Sequence, residues 1–176
     1  MKFVDFLKKA RDLIEWFIIY SIMGWLYEVV WWYLIELDMG FVNRGVLYGP
    51  WLPIYGFGML AVLGVVRLLK IKKPLPIFLV GTALVTGVEL LGSYIMEWTV
   101  GYIMWDYSGM FGNFEGRISV KTSILFGLLI LLGIYSVQPR MEKFQKRFDN
   151  SVVHNVIFVL ILITMIVDAV FSLLIK

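Results

Sequence analysis

The sequence predicts an all-α polytopic membrane bundle of about five transmembrane helices, with its N-terminus cytoplasmic. Three observations carry this. Hydrophobic types make up 60% of the 176 residues and charged types 16%, against about 45–50% and about 25% in soluble domains. The mean hydropathy is +0.84, which excludes disorder and argues against a water-soluble globular domain. Five apolar stretches then follow one another at nearly spanning length. They predict one integral membrane domain over 1–176 with spans at about 13–36, 51–69, 75–97, 118–137 and 152–175.

The first span is interrupted by one charge in its apolar part, Glu28. Its apolar run is too long for a signal-peptide core, and no convincing cleavage site follows, so it is expected to be retained. The second span is the shortest and extends through Arg67 to residue 69. The third carries Glu89, and the fourth Lys121. The fifth holds His154 near its start and Asp168. His154 is expected to be interfacial, and Asp168 to contact a neighbouring helix.

Basic residues give the expected orientation. Lys2, Lys8, Lys9 and Arg11 precede the first span. Arg67, Lys70, Lys72 and Lys73 separate the second from the third, and Arg140, Lys143, Lys146 and Arg147 separate the fourth from the fifth. Those twelve fall on one side, whereas Arg44, Arg117, Lys121 and Lys176 fall on the other. The positive-inside rule assigns the richer side to the cytoplasm. The C-terminus is then outside. Lys121, one turn inside the fourth span, is expected to snorkel.

Under this topology the unusual polar residues gather at the outer level. Thr82, Thr86, Glu89, Ser93 and Glu97 recur at intervals of four, three, four and four, which is one face of a helix. Gly24 and Glu28 are four apart on the first span. A carboxylate facing lipid is expensive, so these faces should turn toward the bundle interior or a water-filled cavity. Arg44 and Arg117 are the natural cationic partners, because arginine can hold a carboxylate or phosphate with two parallel hydrogen bonds. The loop at 99–117 is rich in aromatic residues and glycine. It can dip back into the bundle or lie flat at the interface. Asp106, Ser108 and Asn113 within it suit either a ligand or the capping of turns.

These residues form a pattern. Tyr20-Ser21-x-x-Gly24-Trp25-x-x-Glu28 is followed by Asn43-Arg44-Gly45-x-Leu47-Tyr48-Gly49-Pro50-x-x-Pro53-Ile54-Tyr55-Gly56-Phe57-Gly58. Glu89, Ser93 and Glu97 come next, then Trp105-Asp106-Tyr107-Ser108 and Asn113-x-x-Gly116-Arg117-Ile118. Over roughly residues 17–133 the chain resembles the ABC-transporter type IV (CmpB-like) family of small integral membrane proteins. The resemblance implies a permease in a bacterial plasma membrane. The sequence has no G-x-x-x-x-G-K-[ST] motif, so an ATPase would have to be a separate subunit. The basic loops at 67–73 and 138–150 offer little positive sign of a docking platform for one.

The candidate substrate-binding residues are therefore Glu28, Asn43, Arg44, Tyr55, Glu89, Ser93, Glu97, Trp105, Asp106, Tyr107, Ser108, Asn113 and Arg117. The expected function is a permease-like or binding component for a small polar or amphiphilic solute. An alternative is a membrane-embedded enzyme acting on an outer-leaflet lipid. Two arginines would grip its phosphate, and Glu28, Glu89, Glu97 or Asp106 would serve as base or nucleophile. A third is a scaffold or regulatory subunit. With no Cys and one His, thiolate and multi-histidine metal sites are excluded, and neither metal nor cofactor is expected. Membrane lipids, a separate ATPase subunit and further copies of the chain are the candidate partners; nucleic acid is not one.

Overall fold

The computed structural model describes residues 2–35, 41, 43 and 45–174. Arg44 lies outside the described residues. The elements in chain order are α1 (Lys2–Ile35), α2 (Pro53–Leu68), α3 (Pro74–Val100), α4 (Val120–Leu132), a π segment (Gly133–Val137), α5 (Gln138–Phe148) and α6 (Val152–Leu174). Among the described residues there is no strand beyond the isolated bridge Phe114–Ile118. Among the described residues four helical segments are long and apolar enough to cross a membrane: Val4–Trp31, Pro74–Val100, Val120–Phe148 and Val152–Leu174. The helix Pro53–Leu68 is apolar but shorter. Its 16 residues span roughly 24 Å at 1.5 Å per residue.

Local chemistry sets the helix ends. Pro53 and Pro74 open α2 and α3 at first-turn positions, where a missing N–H costs nothing. Lys70 adopts a left-handed φ of 53° and closes α2 in a Schellman turn. The Ile71 N–H donates to Val66 O at 2.9 Å and the Lys70 N–H to Arg67 O at 3.2 Å. Gly101, at φ 83°, ends α3. Ser119 caps α4 by accepting from the Thr122 N–H.

The chain forms two compact units. Unit 1 comprises Met1–Gly56 and Glu142–Lys176. Its core is Ile18, Leu47, Trp51 and Met165, with Ile14, Phe17, Ile22, Phe158, Leu162 and Ala169 packed around it. The start of α2 lies directly on α1. A Cβ on Gly56 would come within 2.7 Å of Phe17 O and within 2.5 Å of Ser21 Oγ. The Leu52 N–H also donates to Ser21 O at 2.9 Å. Between membrane helices such backbone approach needs small residues. Gly56→Ala should therefore lower the melting temperature clearly, costing about 1–3 kcal/mol, because backbone atoms cannot move aside as a side chain could. Thermal unfolding in detergent checks this, with Gly87→Ala as the control, since a Cβ on Gly87 meets nothing within 4 Å.

Unit 2 comprises Phe57–Met141. Here α3 and α4 pack through small residues: Gly81 faces Ile130 and Val62, and Gly127 faces Phe78 and Thr82. The Thr86 hydroxyl donates to Ser123 Oγ at 2.8 Å. Met59, Val62, Leu63, Val66, Ile77 and Ile130 are buried. The interhelical contacts set the register that carries the polar face of α3.

Candidate functional site

The expected face of α3 exists: Glu89 is 5% exposed and Ser93 fully buried. The loop 101–119 returns over the Glu97 end of α3 and delivers two side chains onto that face. Tyr107 donates its hydroxyl to Glu89 Oε1 at 3.0 Å. Arg117, 7% exposed, donates from Nη1 to Ser93 Oγ at 2.9 Å and from Nη2 to Glu97 Oε2 at 2.5 Å. Its Nε lies 3.5 Å from Glu115 Oε2, and its guanidinium stacks 4.1 Å above the Tyr94 ring. The Tyr94 hydroxyl donates to Glu115 Oε2 at 2.5 Å. Three carboxylates, two tyrosines, one serine and one arginine thus meet along two turns of α3.

The loop is a built structure. Asp106 accepts from the Ser108 N–H at 2.8 Å and the Ser108 hydroxyl at 2.5 Å, a turn that the side chain closes on its own backbone. The two Ser108 hydrogen bonds hold the Asp106 carboxyl below the usual carboxylate range. Asn113 donates to Ser108 O and Met110 O and accepts from the Gly116 N–H. The Tyr107 N–H donates to Gly116 O at 2.7 Å, and Trp105 Nε1 donates to Arg117 O at 2.8 Å. Gly116 sits at φ 68°, where a Cβ would come within 2.6 Å of Asp106 Oδ1 and Ser108 Oγ. Asp106, Ser108, Asn113 and Trp105 therefore hold the loop that presents Tyr107 and Arg117.

The other candidates lie in unit 1. The Tyr55 hydroxyl donates to Glu28 Oε1 at 2.5 Å, and Gly24 makes room for the Tyr55 ring. Trp25 Nε1 donates to Asn43 Oδ1 at 2.6 Å, while Asn43 donates to Leu47 O and Tyr48 O. Asp168 does contact a neighbour, though the partner is irregular backbone rather than a helix. Its carboxylate accepts from the Tyr48 N–H at 3.0 Å, the Gly49 N–H at 2.8 Å, Trp51 Nε1 at 2.5 Å and the Ser172 hydroxyl at 3.0 Å.

A second polar cluster at the other end of α1 was not expected. Arg11 and Glu15 are buried one turn apart on α1. Arg11 donates to Asp149 Oδ1 and Asn155 Oδ1, both at 2.9 Å. Gln145, also buried, accepts from Trp16 Nε1 at 2.8 Å and donates to Glu15 Oε2 at 2.8 Å. His154 Nε2 lies 2.9 Å from Glu15 Oε1, so His154 meets a carboxylate on α1. The available signal was the i, i+4 pair Arg11–Glu15 in a segment otherwise read for its charge alone. Lys8 Nζ, 2.6 Å from Asp149 Oδ2, holds that carboxyl below its usual range, and Arg11 adds to the effect. A lowered folded value means the contribution is complete above the ordinary carboxylate range and is lost as pH falls through the folded value. Acidification through that window should lower the melting temperature of the wild type. Asp149→Asn should be less stable at neutral pH and show a flatter dependence, measurable by thermal unfolding across pH.

The family model described as "Putative ABC-transporter type IV" matches residues 15–173. No curated protein matches the chain, and no solved structure does.

Proposed function

The chain belongs to this ABC-transporter type IV family and is a transport-related integral membrane protein; from that premise we propose that it is a permease-like or binding component for a small solute bearing a cationic or zwitterionic group. The cluster of Glu89, Ser93, Glu97, Tyr107 and Arg117 is its solute site. On the twelve-to-four distribution of basic residues, the site opens on the extracytoplasmic side.

One observation carries the reading. A buried arginine of the loop and a buried glutamate of α3 lie along one face of that helix, and the loop's own hydrogen bonds fix it there. Intramembrane ionisable groups are costly, and they are functional-site candidates by default. The charge count gives the solute class. Glu97 and Glu115 face one guanidinium and Glu89 adds a third carboxyl on the same helix as Glu97, so an anion would have to displace Glu97 and Glu115 to reach the cation. A cation instead finds carboxylates that outnumber the one guanidinium. ATP hydrolysis, where it drives the movement, would come from a separate subunit.

The test is a thermal-shift panel of tetramethylammonium, glycine, inorganic phosphate and sucrose. Tetramethylammonium or glycine should raise the melting temperature by mass action, and Arg117→Ala or Glu89→Gln should remove the shift. Stabilisation by phosphate alone would contradict the proposed solute class.

A further inference from the structure

The segment 138–150 was expected to be a loop. It is instead α5, and it continues α4 through the π segment as one helical run, Val120–Phe148, of 29 residues. That run is roughly 44 Å long at 1.5 Å per residue, against a hydrocarbon core of about 30 Å. Its apolar part is α4 with the π segment, and its charged part is α5. The excess of roughly 14 Å therefore places α5 in the headgroup layer.

The faces of α5 are unlike one another. Met141 and Gln145 are buried. Arg140, Lys143, Phe144 and Arg147 stand at i, i+3, i+4 and i+7, on one face, and all four are exposed. Phe144 is 50% exposed in the middle of the three cations. Its ring stacks 4.7 Å from Phe148, and the Arg147 guanidinium lies 5.6 Å from that second ring. Within unit 2 a further group of basic residues adjoins the π segment. The Tyr135 hydroxyl donates to Lys72 O at 2.9 Å, which brings the turn carrying exposed Lys70, Lys72 and Lys73 alongside the π segment.

We propose that the α5 face formed by Arg140, Lys143, Phe144 and Arg147 is a docking surface for anionic phospholipid headgroups at the cytoplasmic membrane surface. Long cationic side chains reach phosphates while their stems and an aromatic ring lie against the acyl boundary. A basic segment directly beyond a spanning helix is attracted to an anionic membrane surface through each Lys or Arg it carries. A protein partner would also accept the charge. The exposed Phe144 and the position of α5 at headgroup depth favour lipid. The surface is independent of the solute site; only its leaflet rests on the topology proposed above.

The experiment is native mass spectrometry of the full-length protein equilibrated in detergent with equimolar phosphatidylglycerol and phosphatidylcholine. The wild type should retain phosphatidylglycerol in preference. Neutralising the face with Arg140→Gln, Lys143→Gln and Arg147→Gln together should lower the ratio of anionic to zwitterionic lipid at least about fivefold. Each single change should lower it part of the way, so the result does not depend on the triple variant folding. The charge-keeping pair Arg140→Lys and Arg147→Lys should keep the preference. Equal retention of the two lipids by the wild type would overturn the proposal, as would a preference that survives the triple change. A protein released by the triple change with lipid retention unaltered would overturn it too, and would assign the face to protein docking.

Discussion

Replacing Arg117 with alanine should abolish stabilisation by the cationic or zwitterionic solute, lowering its affinity more than about tenfold, the scale of losing hydrogen bonds to a charged group. The guanidinium organises four neighbours at once: Ser93, Glu97, Glu115 and the Tyr94 ring. Without it, Glu97 and Glu115 face each other with no intervening cation, and the site no longer presents a fixed geometry. Arg117→Lys should restore little. A lysine keeps the charge but cannot reach Ser93, Glu97 and Glu115 from one planar group. Binding measured by thermal shift, beside the melting temperature of the unliganded variant, separates loss of the site from loss of the fold. The loop should survive, because its turns at Asp106, Asn113 and Gly116 close on their own side chains and backbone.

Asp168→Ala should be the most destabilising single change in unit 1. One carboxylate on α6 accepts from two backbone amides, an indole N–H and a serine hydroxyl. The two amides belong to irregular chain at 48–49, and such backbone persists at membrane depth only where protein supplies its hydrogen bonds. Truncation would remove the shared acceptor of all four donors at once, which costs about 3 kcal/mol or more. Asp168→Asn should fall between, since an amide keeps one acceptor oxygen and adds donors where donors already crowd. A melting temperature for Asp168→Ala within a degree or two of the wild type would mean that the 48–51 segment is held by other contacts. Core packing of Leu47 and Trp51 against Ile18 and Met165 would be the first of these.

Several features of the fold and site were legible in the sequence because they depend on local period and composition. The apolar stretches marked where helices run, with Pro53–Leu68 shorter than the four segments of spanning length. The four- and three-residue spacing from Thr82 to Glu97 marked one face of α3, and Glu89 and Ser93 are indeed buried there. Gly24 and Gly56 stand in the quoted motif, and they give close approach to Tyr55 and to Phe17 and Ser21.

What was not legible depends on contacts distant in sequence. The high charge of Gln138–Phe148 read as a loop; the same charges lie along one face of a helix whose other face buries Met141 and Gln145. Partner choice was equally hidden. Glu28 pairs with Tyr55 inside unit 1, while Glu89 pairs with Tyr107 inside unit 2. Nothing in the spacing of either glutamate names a tyrosine as its donor. Tyr94 and Glu115 escaped notice because they adjoin Ser93 and Gly116 in sequence but act through Arg117. Asp106, Ser108 and Asn113 suited either ligand or turn, and their hydrogen bonds are those of turns.

The most direct test of the solute site is native mass spectrometry of the wild-type protein, extracted gently from its own membrane, beside Arg117→Ala and Glu89→Gln. The site predicts a small molecule with a cationic or zwitterionic group bound to the wild type and absent from both variants, with all three folded. The same bound species in all three, or variants that fail to fold while the wild type holds nothing, would contradict it and reassign the Glu89–Arg117 cluster to an ion-pair lock between helices.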